Sequence, residues 1–80
     1  MGQFKAARAA FKEALRLGAG GPFHRAWIYL RLGNMADVDG DRELAKKNYK
    51  LATEQGARYR AARRAAGYME KKYRGYDKDK

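Results

Sequence analysis

Between residues 3 and 17, Phe4, Ala7, Phe11, Ala14 and Leu15 recur at three- and four-residue steps, while Lys5, Arg8, Lys12 and Arg16 occupy other faces. This spacing predicts an amphipathic helix over 3–17. The run Gly18-Ala19-Gly20-Gly21 ends it, and Pro22 suits the first turn of the next helix. A second helix, 23–38, carries Ala26, Trp27, Leu30, Gly33, Met35, Ala36 and Val38, and stops where Asp37-Val38-Asp39-Gly40-Asp41 gathers turn and capping residues. Asp41 is placed to cap a third helix, 42–55, whose stripe is Leu44, Ala45, Asn48, Tyr49 and Ala52. After Gly56 a fourth, 58–74, sets Tyr59, Ala62, Ala66, Met69 and Tyr73 on one side, and 75–80 is expected to fray. The reading is all-α: one domain over 1–74 followed by a disordered tail.

Two internal echoes sharpen this picture. Ala7-x-x-x-Phe11-x-x-Ala14 is repeated as Ala45-x-x-x-Tyr49-x-x-Ala52, each preceded by a glycine and a polar residue, Gly2-Gln3 and Gly40-Asp41. Gly33 and Gly67 stand 34 residues apart, both inside predicted helices, where glycine costs roughly 1 kcal/mol relative to alanine and calls for a packing reason. Close approach of a neighbouring helix is the reason expected at both.

These landmarks resemble the tetratricopeptide repeat (TPR), a 34-residue pair of antiparallel helices patterned W-x2-L-G-x2-Y, then A-x3-F, then often Pro. The match covers Ala26 to about Tyr59, with Tyr29 at the Trp position, Leu32-Gly33 as the Leu-Gly pair and Ala45-x-x-x-Tyr49-x-x-Ala52 as the second helix. It departs from the pattern at Ala36, where Tyr is expected, and at Ala57, where Pro is common. The resemblance implies one full repeat between two flanking helices, a right-handed α-solenoid segment that belongs to a longer array. The connection from Leu17 to Ala26 is about four residues longer than the 34-residue repeat allows, and the Gly20-Gly21-Pro22 loop absorbs the excess. On this resemblance the concave groove is lined by the second and fourth helices. Partner contacts would then fall to Trp27, Leu30, Asn34, Arg64, Tyr68 and Lys71, with Asp37 and Ala61 beside them. Asn34 matches the asparagine that peptide-tail-binding members use, but Leu30 stands where that clamp has a lysine. The implied function is a scaffold-like module that binds a peptide or protein partner. Phe4 and Phe11, left without a preceding repeat, define a face for homodimer formation, and a structural capping segment that self-associates through it is an alternative to partner binding.

Charge changes the expected partner. Nineteen Lys and Arg against nine Asp and Glu give a formal charge of +10 on 80 residues, which favours acidic partners. Most of the excess lies in Arg58, Arg60, Arg63, Arg64, Lys71, Lys72 and Arg74, opposed there only by Glu70. With Tyr59, Tyr68, Tyr73 and Tyr76 interleaved, the same stretch is the alternative site, for nucleic acid and RNA in particular, because cations hold phosphates and aromatic rings stack on unpaired bases.

The remaining chemistry is set aside. Asp37, Asp39, Asp41 and Glu43 alternate like the start of an EF-hand loop, yet Arg42 stands where its glycine is required and Asn48 where its closing glutamate falls. His24 is the only histidine, and the chain has no cysteine and no serine, so zinc sites and Ser-His-Asp catalysis lack their residues. The glycine run has no accompanying lysine or hydroxyl residue for a phosphate-binding loop. No catalytic activity, cofactor or metal is expected. No apolar run approaches the roughly 18 residues of a membrane span, and the absence of cysteine points to the cytoplasm.

Overall fold

The computed structural model describes residues 5–18 and 20–73, which form four α-helices and no strand: α1 (Lys5–Leu17), α2 (Gly21–Val38), α3 (Arg42–Thr53) and α4 (Arg60–Glu70). Helix α2 is the centre, because its apolar residues occupy two faces rather than one. Ala26, Leu30 and Ala36 join Ala45, Tyr49 and Ala52 of α3 and Ala61 and Ala65 of α4 in the larger core cluster. Ile28, Leu32 and Met35 form a second cluster on the other side, against Phe11, Ala14 and Leu15 of α1. A helix apolar on two sides must be covered on both.

Contacts at the helix ends give the chain directions. Arg8, near the start of α1, pairs with Asp39, just past the end of α2, so these two helices are antiparallel. At the start of α2, Arg25 Nε donates to Gln55 Oε1 beyond the end of α3 (3.1 Å), which sets α2 and α3 antiparallel. Arg42, opening α3, donates to the carbonyls of Tyr68 and Met69 in the last turn of α4. Phe23 and Tyr59, at the starts of α2 and α4, meet edge to face with ring centroids 6.0 Å apart. Thus α2 and α4 run parallel, with α3 reversed beside both.

Local chemistry explains the helix limits. Gly20 adopts a left-handed conformation (φ 84°) as the cap of α2, and Pro22 sits in the first turn, so the helix begins at Gly21 rather than at the expected residue 23. Asp41 caps α3 as expected, accepting from the Leu44 N–H at 3.1 Å. Helix α3 ends at Thr53 instead of 55, where a turn through Gln55 and Gly56 takes over. Helix α4 is shorter than 58–74: Tyr59 is its extended cap and Lys71 leaves the helix with φ −125°. Phe4, Arg74 and the expected frayed tail lie outside the described residues. Phe11, expected on a face open to a second copy, instead packs against Ile28, Leu32 and Met35.

The two spaced glycines have different surroundings. A methyl group built on Gly33 would lie no farther than 2.9 Å from three carbons of the Tyr49 ring, so this glycine is the seat for a fully buried tyrosine. At Gly67 nothing among the described residues comes within 4 Å of such a group, and the close approach expected there is absent. Gly33→Ala is therefore expected to lower stability by about 1–3 kcal/mol through overpacking, despite the better helix propensity of alanine. Gly67→Ala should raise it by roughly 0.5–1 kcal/mol. Urea unfolding of the two variants beside the parent chain checks both signs.

Candidate functional site

The six residues expected to line one groove do not share one surface. Leu30 is only 1% exposed and belongs to the core, while Asn34 and Asp37 are buried, at 7% and 1%. The reason is the small size of Ala61 and Ala65, which lets α4 pack closely on α2 and close the space a partner would have entered. Trp27 is half-buried, with the Arg31 guanidinium 5.4 Å from its ring centre. Tyr68 lies between Tyr49 and Tyr73, with ring centroids 5.6 and 5.1 Å away. Only Arg64 and Lys71 of the six are exposed.

What fills the closed space is a polar hub around Asp37. Its carboxylate receives Arg42 Nη1 at 2.8 and 3.0 Å, the Tyr49 hydroxyl at 2.8 Å and the Tyr73 backbone N–H at 3.0 Å. Arg42 spends Nη2 on the carbonyls of Tyr68 (2.8 Å) and Met69 (3.1 Å), which α4 leaves without intrahelical partners. The Tyr49 oxygen also lies 3.0 Å from Asn34 Oδ1. A phenol has one proton, and the carboxylate is the stronger acceptor. The phenol proton therefore goes to Asp37, with Asn34 Oδ1 the second acceptor within its reach. Burial, then the hydrogen bond to Asp37 and its charge, push the Tyr49 phenol far above its ordinary pKa, with Arg42 acting in the opposite direction. The hub is structural: every donor and acceptor named in it is engaged.

Sequence reasoning missed Arg42. A signal was present, since Asp37 continues the row Ala26, Leu30 and Gly33 on an apolar face, and a carboxylate in a core row requires a cation. Of the four EF-hand-like acids, Asp37, Asp39 and Asp41 are spent on Arg42, Arg8 and the α3 cap respectively. Among the described residues no group of His, Asp and Glu side chains could hold a metal ion.

The exposed chemistry lies on α4. Arg60, Arg63 and Arg64 line an open concavity of about 500 Å³. Arg63 is anchored, its Nη1 donating to the carbonyls of Ala57 (2.8 Å) and Arg58 (3.2 Å). Among the described arginines, Arg8, Arg16, Arg25 and Arg42 hold side-chain partners, and Arg31 and Arg58 lie over the rings of Trp27 and Tyr59. Arg60 and Arg64 have no such partner, and the first turn of α4 contains no acid. Lys71 and Lys72 are exposed beyond the helix end. The interleaved aromatics do not accompany this charge outward. Tyr59, Tyr68 and Tyr73 are half-buried against the core, and Tyr76 lies outside the described residues.

No protein-family model matches the chain, nor does any curated protein or solved structure. Among the described residues, no helix is long and apolar enough to cross a membrane.

Two outcomes test the hub. Asp37→Ala strands the Arg42 cation and the Tyr49 hydroxyl, and thermal unfolding should report a loss on the order of 3 kcal/mol. The Tyr49 phenol has a raised pKa in the folded state, so its contribution is complete below the unfolded value of about 10 and is lost as pH rises above it. Stability should fall there by up to about 1.4 kcal/mol per pH unit from this group, a slope that Tyr49→Phe removes in unfolding measured from pH 8 to 11.5.

Proposed function

We propose that the chain is a helical interaction module that binds an acidic segment of another polypeptide through the exposed face of α4. The observation that carries the reading is the pair of guanidinium groups, Arg60 and Arg64, that have no side-chain partner among the described residues and stand on an open concavity of a chain with formal charge +10. Unspent arginines favour carboxylates, which they can grip with two parallel hydrogen bonds. The helix order is compatible with a TPR-like arrangement, in which α2 and α3 are the hairpin of one repeat and α1 and α4 flank it. Parallel α2 and α4 and the seat of Tyr49 on Gly33 support that reading. The partner surface moves accordingly, from the closed space at Leu30 and Asn34 to the outer side of α4.

The same cations attract nucleic acid, but Tyr59, Tyr68 and Tyr73 pack partly buried against the core, which leaves less of these rings to stack on bases. Titration with a Glu-rich peptide, a neutral peptide of equal length and a single-stranded RNA separates the readings. The acidic peptide is expected to bind and the neutral one to fail, and Arg64→Glu should weaken acidic binding about tenfold or more. Acidic binding left unchanged by Arg64→Glu would remove the α4 face from the reading.

A further inference from the structure

The 34-residue echo lays Ala26–Ala36 of α2 over Arg60–Glu70 of α4, so the faces of the two helices can be compared position by position. On α2 the row Ala26, Leu30, Gly33 and Asp37 is wholly buried beneath α3 and α4. The corresponding positions of α4 are Arg60, Arg64, Gly67 and Lys71, and all four are exposed. The row that carries a neighbouring helix on α2 is therefore present on α4 without one among the described residues. The glycine is kept and the charge is reversed.

How α3 sits on α2 shows what the row accepts. Antiparallel α3 places the Tyr49 ring over Gly33, and Arg42, seven residues earlier, reaches Asp37, four residues past that glycine. Gly67 offers open space where Gly33 holds a ring, and Lys71 stands where Asp37 holds an arginine. Alanine at Gly67 would improve helix propensity at no steric cost within this chain, so the glycine has no explanation in the described contacts. From these facts we infer that the outer row of α4 docks an antiparallel partner helix. That helix would set a bulky side chain over Gly67 and carboxylates toward Lys71 and Arg64.

The spacing follows from the α2 precedent. An acid seven residues before the aromatic faces Lys71, and another three or four residues after it faces Arg64, a pattern that keeps all three side chains on one stripe. A second copy of this chain is a poor occupant, because its α3 brings the exposed Lys46, Lys47 and Lys50 to an already basic surface. This inference rests on the acidic-partner reading and adds the form of the partner and its seat.

The test titrates the full chain with three synthetic peptides: a helical one carrying Glu, a Trp seven residues later and Glu three and four residues after that; a helix-matched scramble of the same composition; and an unstructured Glu-rich peptide. The patterned helix is expected to bind at least about tenfold tighter than its scramble. Gly67→Leu should reduce that affinity at least about tenfold while circular dichroism and the melting temperature show a fold no less stable, and Arg64→Glu should reduce it similarly. Equal binding of all three peptides, unaffected by Gly67→Leu, would overturn helix docking and leave the acidic-partner reading standing. If none of the three peptides binds, both readings fall. A single-stranded RNA that binds more tightly than the patterned helix and is insensitive to Gly67→Leu would overturn the docking assignment in favour of phosphate recognition.

Discussion

The buried carboxylate of Asp37 is the contact on which the arrangement of the other elements depends. Moving a carboxylate out of water costs several kcal/mol unless its oxygens are engaged, and here they receive a guanidinium, a phenol and a backbone amide from three other parts of the chain. Each donor comes from a different segment, namely the start of α3, the middle of α3 and the stretch after α4. Satisfying one anion therefore fixes where each of those segments lies. Arg42 extends the constraint by closing the carbonyl end of α4, so one ion pair positions the ends of three helices.

Around that polar centre the packing is built from small residues. Ala26, Ala36, Ala45, Ala52, Ala61 and Ala65 make up most of the larger core cluster, and Tyr49 is its largest fully buried side chain. Alanine faces let helix backbones approach closely, which gives a single tyrosine many contacts and a seat on Gly33. Helix α1 is attached differently. It has no buried residue, and it leans on α2 through Phe11, Ala14 and Leu15 with Leu17 64% exposed. Local stability follows buried apolar contact, so α1 belongs to the low end of the molecule and α2 to the high end.

The same division governs the charges. Cations that serve the fold are paired or stacked, while Arg60 and Arg64 remain available on a face with no acid in its first turn. A surface of that kind attracts carboxylates over about a Debye length and then grips them at short range. The functional reading rests on this remainder: cations present in the sequence that the fold does not consume.

From the sequence alone, the number of helices, their order, the Asp41 cap and the need for a small residue at Gly33 were legible, because periodicity, capping chemistry and glycine cost are local properties of the chain. The side facing a partner was not legible. Leu30 and Asn34 read as groove residues until Ala61 and Ala65 brought α4 down upon them, and Arg42 read as one basic residue among nineteen until its partners, five to twenty-seven residues away, came together. Nor could spacing tell that Gly33 is filled and Gly67 open. A local pattern specifies which residues share a helix face, whereas only the packing of helices distant in sequence decides which faces are covered and which charges are left over.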